Sequence, residues 1–244
     1  MIEKAKAIAL HSVRYGEKSI IAYLYSEEFG RITLMVNSAF GKGKSSKKAI
    51  YFQPLNLVNI VFYRGTRSHS MGRLREVSFC SSLSNIHSNN TKRAIALFMG
   101  EVIYRTVREE ERNASLFAFL EYSIQTLEVV EEGVQNFHII FLAQLSKYLG
   151  FYPNGNYSAD TPFFDIKSGL FCEIQPEHDS FLSIEQSELL SFALKLNYVE
   201  GINIKLNGRQ RNSFLESLLR FYSFHNDSVQ GIRSLPVLRQ VFEE

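Results

Sequence analysis

Cysteine is scarce in this 244-residue chain, which holds only Cys80 and Cys172. The two lie far apart and neither belongs to a CxxC pair, so neither a disulfide framework nor a complete cysteine zinc site is encoded. Two free thiols are expected. Long apolar runs are missing as well. Nothing approaches the roughly 18 apolar residues that a membrane helix requires, and Met1-Ile2-Glu3-Lys4-Ala5-Lys6 lacks the apolar stretch of a signal peptide. These absences predict a cytoplasmic protein without a membrane partner. The signatures of catalysis are lacking too. His11, His69, His87, His138, His178 and His225 form no HExxH motif and no pair at helical spacing. There is no GxSxG elbow. The carboxylates of Glu109-Glu110-Glu111 and Glu131-Glu132 are neighbours in sequence and do not face one another as a catalytic pair would. The reading is therefore a protein that is not an enzyme, with no catalytic residue, no metal and no cofactor.

What is present is an ordinary globular composition, 45% hydrophobic and 21% charged, with a lopsided charge distribution. Residues 1–80 carry thirteen Lys and Arg against five Glu, a net +8, whereas the whole chain is only +2, so the remainder sums to −6. A basic module joined to an acidic one suggests a polyanion partner for the front module. A merely solvated lysine-rich surface explains the same charges without a partner.

Residues 4–79 alternate as half-buried antiparallel strands do, with Ile20, Ala22 and Leu24 on one face and Ile21, Tyr23 and Tyr25 on the other. Ile32, Leu34 and Val36 likewise oppose Arg31, Thr33 and Met35. Turn signals at Tyr15-Gly16-Glu17, Glu28-Phe29-Gly30, Gly41 to Ser46 and Arg64-Gly65-Thr66 divide the segment into about five strands. Closing them into a barrel removes most exposed edges, and the five-stranded Greek-key form of that solution is the OB-fold. The polar stretch 81–91 is read as a linker between an OB-fold domain, 1–80, and a mainly helical domain, 92–244, giving an α+β chain. The spacing of Ile95, Phe98, Met99, Val102 and Ile103 is helical, and further helices are expected near 114–131 and 134–149. Capping signals at Ser183 and Asn207 start two more, and a last short helix follows Ser234. Residues 151–181, with Pro153, Gly155, Pro162, Gly169 and Pro176, are expected to form loops with a short hairpin around Phe163 to Glu173.

The stretch Ser38 to Ser45 looks like a phosphate-binding P-loop. The motif fails, because the required first glycine is Ser38 and the segment leads to Tyr51-Phe52-Gln53-Pro54 instead of opening a helix. The better reading is a flexible basic loop touching a nucleic-acid backbone through Lys42, Lys44, Lys47 and Lys48. Arg31, Arg73 and Arg75 are further candidate phosphate contacts. Single-strand binders also need flat side chains on which bases stack. Among the tyrosines interleaved with these bases, Tyr23, Tyr25 and Tyr63 are expected to be exposed, because their strand neighbours carry the apolar face.

Taken in order, several segments resemble the RecO family of bacterial recombination mediators: Ala7-Ile8-Ala9-Leu10-His11-Ser12, Tyr15-Gly16-Glu17-Lys18-Ser19, Phe29-Gly30-Arg31-Ile32, Ser38 to Ser46, and Gln53-Pro54-Leu55. Leu116-Phe117 with Leu120, Leu149-Gly150-Phe151-Tyr152-Pro153, Ser168-Gly169-Leu170-Phe171-Cys172 and Arg233-Ser234-Leu235-Pro236-Val237-Leu238 continue the match across nearly the whole chain. The resemblance implies binding of single- and double-stranded DNA, annealing of complementary strands, and work with RecR to load RecA onto DNA coated by single-stranded-DNA-binding protein. It also implies a cytoplasmic, nucleoid-associated location. The acidic, apolar-ended C-terminal tail of single-stranded-DNA-binding protein is expected to dock on the helical domain, near Lys92, Arg93, Arg105, Arg108 and Arg112 or near Lys205, Arg209 and Arg211. Many family members carry a four-cysteine zinc element after the Gly-x-x-Pro segment, but Asn154 to Asp179 here retains only Cys172. An OB-fold that binds RNA, or one that serves as a protein-interaction platform, remains the alternative, with an NTPase a third.

Overall fold

The computed structural model describes residues 1–40, 48–65, 71–226 and 229–242. The chain divides into two compact units, Met1–Glu128 and Val129–Glu244. In the first, strands β1 (Ile2–Tyr15), β2 (Ser19–Ser26), β3 (Gly30–Val36), β4 (Leu57–Tyr63) and β5 (Gly72–Phe79) close a barrel in the order β1-β2-β3-β5-β4. This is the expected OB-fold arrangement. Closure depends on β1, whose first half pairs with β4 and whose second half pairs with β2. A register shift between Ala9 and His11 marks where the strand bends from one partner to the other. Of the faces predicted by alternation, Ile20, Ala22, Leu24, Leu34 and Val36 lie inside, each at most 2% exposed, with Ile32 half-buried against them, and Val58, Ile60 and Phe62 of β4 join them. The small residues Ala5, Ala7 and Ala22 leave room there for Phe62 and for Phe52, which enters from a 3-10 turn at Lys48–Phe52.

The polar stretch 81–91 holds a short helix, α1 (Ser84–Ser88), and the start of α2 (Asn90–Thr106). The first unit ends in α3 (Ala114–Val129). The Glu128 carboxylate accepts from the Asn85 and Ile86 amides, both at 2.9 Å, closing the positive end of α1. The Asn89 side chain caps α2 by accepting from the Lys92 amide. The predicted face of Ile95, Phe98, Met99, Val102 and Ile103 is completely buried. α2 packs against β1, and its Gly100 permits the approach: a Cβ there would stand 3.1 Å from Pro54 Cβ and 3.2 Å from the Leu10 carbonyl. Gly30 is more constrained. Its φ is +61°, and a Cβ would fall 2.3 Å from the Glu111 carbonyl oxygen.

The second unit contains α4 (Phe137–Tyr148), a small sheet of β6 (Phe163–Asp165), β7 (Leu170–Cys172) and β8 (Phe181–Leu182), then α5 (Ile184–Lys195), α6 (Gly208–His225) and α7 (Leu235–Phe242). Ser183 caps α5, and Asn207 with Gln210 forms a reciprocal capping box on α6. The predicted hairpin is β6 and β7, to which β8 adds a third strand. Aromatic rings hold this insert. Phe164, fully buried, lies 5.0 Å from Phe171 and 5.4 Å from Phe221, and Phe151 packs on Tyr222 and His225. The donor set does not fit the zinc that the resemblance implies. Cys172 Sγ donates to the Phe163 carbonyl, and His178 faces Asp165 at 3.4 Å. Among the described residues no group of three or more His, Cys, Asp and Glu side chains is placed to hold a metal ion. Among them, too, no helix is long and apolar enough to cross a membrane.

His138 is buried in this unit, its ring stacked on Phe242 at 5.5 Å. Burial, and secondarily the Arg211 guanidinium, pull its pKa down to about 3. An unfolded chain takes up a proton on this imidazole as pH falls through about 6.5, which the folded chain refuses until far lower pH. The group therefore costs nothing above pH ~6.5 and destabilises the fold by about 1.4 kcal/mol per pH unit below it. Carboxylates begin to titrate only near pH ~4. Urea unfolding followed from pH 8 to pH 4 should show stability declining from about pH 6.5, and His138→Gln should flatten the first part of that decline.

Candidate nucleic-acid interface

Of the lysines expected to line the basic loop, Lys42, Lys44 and Lys47 lie outside the described residues. Lys48 is described, half-buried, at the start of the 3-10 turn that plugs the barrel with Phe52. Ser38 and Ala39 precede the loop, and Ala39 and Phe40 both donate backbone hydrogen bonds to the Lys18 carbonyl in the β1–β2 turn. The β1–β2 turn and the segment leaving β3 thus meet at one end of the barrel. Arg14 belongs to the same corner. Its guanidinium lies 5.3 Å from the centre of the Phe40 ring and donates to the Glu17 carbonyl. Phe40 is 40% exposed, so a cation and a flat ring are presented together there, and Tyr15, next to Arg14 in the chain, is 56% exposed.

One sequence-predicted exposure is corrected by the structure. Tyr25 is only 1% exposed; its ring stacks on Phe117 of α3, and burial, with the Glu109 charge nearby, pushes its phenol up to about 12. It is not available for stacking on a base. The alternation correctly turned Tyr25 out of the barrel, but the outer surface is covered there by α3. Arg31 is similarly committed. Its Nη1 donates to the Tyr104 carbonyl and, at 2.9 Å, to that of Val107, at the negative end of α2. The guanidinium also lies 4.4 Å from the centre of the Tyr104 ring, and burial lowers its pKa. Arg31 is a staple between strand and helix. Tyr23 is half-buried against the same Tyr104, 5.1 Å between centroids, with His11 alongside.

The remaining candidates face solvent. Arg73 and Arg75 project from β5, Arg75 beside Glu76 at 3.1 Å, and Tyr63 on β4 is 45% exposed. Arg73 pairs in register with Tyr63 on one side and Met35 on the other. Arg14, Tyr15, Lys18 and Phe40 were missed as a set by sequence reasoning. The signal was present as Arg14 and Tyr15 before the Gly16 turn and Lys18 after it, but only the backbone bonds to Lys18 reveal that Phe40 joins them.

The second unit offers a different feature, a groove of about 530 Å³ beside α5 and α6. Leu189, Phe192 and Leu206 give it an apolar floor, Lys205 and Arg209 a basic margin, and Glu185 and Glu188 an acidic one. Phe192 is 52% exposed. Other predicted bases of the helical region are engaged elsewhere: Lys92 donates to the Glu128 carbonyl, Arg105 pairs with Glu101, and the buried Arg211 donates to Asn136 and to the Leu206 carbonyl.

Residues 1–83 match the family model for Recombination protein O N terminal, and residues 87–231 match that for Recombination protein O C terminal. The chain belongs to the RecO family. The DNA repair protein RecO of Bacteroides fragilis is 32% identical over 245 residues, covering 100% of each chain. That of Flavobacterium psychrophilum is 32% identical over 240 residues, 98% of each, and that of Azobacteroides pseudotrichonymphae 30% identical over 244 residues, 100% of each. RecO proteins are non-enzymatic recombination mediators in DNA repair. In this RecO-family chain Arg31→Ala should lower stability in urea by about 2 kcal/mol, the scale of losing charged hydrogen bonds. Its salt dependence of single-strand binding should stay that of the parent; a loss of about 0.7 units of slope would instead mark Arg31 as a phosphate contact.

Proposed function

We propose that this RecO-family protein binds single- and double-stranded DNA through the barrel, residues 1–80, and anneals complementary strands. In the same reading it works with RecR to load RecA onto DNA coated by single-stranded-DNA-binding protein, with residues 92–244 supplying partner contacts. It acts in the cytoplasm, at the nucleoid. The observation that carries the proposal is the barrel corner where Arg14 lies over Phe40 beside Tyr15 and Lys18, at the root of the lysine segment. A cation stacked on an exposed ring suits a flexible, negatively charged strand whose bases are open to stacking. Lys42, Lys44, Lys47 and Lys48 add point charges on long stems, which favour affinity over base discrimination.

Replacing those four lysines by Ala should remove about 3 units from the slope of log K against log salt for single-stranded DNA, at roughly 0.7 per phosphate. The fold should be retained. An unchanged slope in a folded variant removes the segment from the DNA site, and equal binding of single-stranded RNA in the same titration favours an RNA-binding module. The groove beside α5 and α6 is the proposed receptor for the tail of single-stranded-DNA-binding protein, its apolar floor taking the tail's end and Lys205 and Arg209 its acids. A labelled tail peptide should bind the full chain at low salt, and the double variant Lys205→Glu, Arg209→Glu should weaken it at least about tenfold, the effect of about 1.4 kcal/mol. Undiminished binding by that variant places the tail elsewhere.

A further inference from the structure

Asn56, the residue before β4, is buried, and its backbone is pinned to β1: the Leu55 amide donates to the Ala9 carbonyl at 2.7 Å, and the Ala9 amide donates to the Asn56 carbonyl at 2.9 Å. Leu55 is completely buried with a φ of +67°, a left-handed conformation that a bulky side chain keeps only where its surroundings hold it. The direction of the next side chain is thereby fixed. The Asn56 amide reaches two ways: its Nδ2 donates to the Ile50 carbonyl at 2.9 Å, and its Oδ1 lies 2.7 Å from His87 Nε2 of α1. Because the amide nitrogen faces a carbonyl, the oxygen must accept, and the imidazole donates from Nε2. A carboxylate at position 56 could not make both bonds.

Both ends of this bridge are themselves held. With only five residues α1 is too short to be helical alone, and it stays in place because the Glu128 carboxylate accepts from its first amides while Asn85 Nδ2 donates to the Glu128 carbonyl at 3.1 Å. At the other end, Ile50 lies in the 3-10 turn Lys48–Phe52, whose Ala49 amide donates to the Ala39 carbonyl at 3.3 Å. Ala39, completely buried, donates in turn to the Lys18 carbonyl and precedes Phe40, the ring on which the Arg14 guanidinium lies. A line of hydrogen bonds thus runs from the end of α3 through His87 and Asn56 to the 3-10 turn and the Phe40 corner, all within the first compact unit. Being 40% exposed, the Phe40 ring takes its placement largely from that backbone.

We propose that His87 and Asn56 are positioning residues, holding the 3-10 turn against Ala39 and so keeping Phe40 and Arg14 arranged to receive a strand. The inference rests on the DNA-binding reading above, and adds that the affinity of the corner is set in part by α1, which lies outside the barrel. The neutral Nε2–H tautomer and the imidazolium both donate, so the bridge is a fixed strut and not a pH switch. A bridge that merely satisfied the buried Asn56 amide would contribute to stability and leave binding alone.

The variant His87→Phe of the full chain keeps a ring and removes the donor. With its fold verified by circular dichroism, its affinity for a labelled mixed-sequence single strand should fall about fivefold, the scale of ordering one loosened side chain on binding. The salt slope should stay that of the parent, because no cation is lost. His87→Gln, which restores an N–H donor of similar reach, should recover the parent affinity. In a Phe40→Ala background, adding His87→Phe should change affinity by less than about twofold, since the ring being positioned is gone. Parent affinity in the folded His87→Phe variant, failure of His87→Gln to recover binding, or the full fivefold loss in the Phe40→Ala background each overturns the proposal. Should His87→Phe not fold, His87→Ala, which admits water to the Asn56 oxygen, is judged by the same outcomes. Phe40→Ala binding as tightly as the parent overturns instead the reading of the corner as a DNA contact, and the positioning role falls with it.

Discussion

Closing five strands into a barrel obliges one of them to serve two neighbours, and in this chain that strand is β1. Its pairing with β4 through Ile8 and with β2 from Ala7 onward means that the strand must bend in its middle, where the register slips between Ala9 and His11. The same stretch carries the least exposed run of the strand, Ala7 to Leu10. Burial on both sides follows from the bend: the inner face looks into the barrel, and the outer face meets α2 where Gly100 comes within contact of the Leu10 carbonyl. A larger residue at position 100 would lift the helix off the strand that closes the barrel. The barrel and its covering helix are therefore one problem in packing, and both belong to the first compact unit.

From that seat of α2 the commitments of Arg31 and Tyr23 follow. The helix ends over the β2–β3 wall, and its last carbonyls need donors. Arg31 supplies two of the bonds while its backbone amide donates to the Glu109 carbonyl, and the turn at Gly30 passes so close to Glu111 that no Cβ fits. A guanidinium that satisfies helix carbonyls and lies on the Tyr104 ring has little left for a phosphate. Among the described residues, Arg14 and Lys18 at the opposite end of β2 and β3, and Arg73 and Arg75 on β5, stay exposed.

The limits of the sequence reading come from the same geometry. Alternation of period two sorts residues into inward and outward, and it did so correctly for Ile20, Ala22, Leu24, Leu34 and Val36. Outward is a local statement about one strand. Whether an outward residue meets water depends on distant parts of the chain, Phe117 of α3 in the case of Tyr25, so Tyr25 and Tyr63, indistinguishable by pattern, end at 1% and 45% exposure. Helices were legible for the complementary reason: their caps and their 3.6-residue stripes are contained within each segment, as at Ser183 and Asn207. The corner at Arg14 and Phe40 arises from contacts between distant strands, which no single segment encodes.

The insert in the second unit illustrates how a fold element can be kept when a different interaction holds it. A tetrahedral metal site fixes a small loop by a few strong bonds to donors that must all be present. With one cysteine remaining, partial ligation would gain little, and a lone thiol is better satisfied as it is here, donating to the Phe163 carbonyl across the β6–β7 pair. The alternative is many weak contacts. Phe164 is completely buried between Phe171 and Phe221, Phe151 closes on Tyr222 and His225, and Ser187 of α5 donates its hydroxyl to the Leu182 carbonyl while accepting from the Phe164 amide. Removing a buried phenyl ring from such a cluster costs about 3–5 kcal/mol, comparable to what small domains have in reserve. Dispersed packing of this sort tolerates the loss of any single donor atom but not of a central ring, so the residues that specify this hairpin are Phe164 and Phe221, where a metal-bound version would depend on its cysteines.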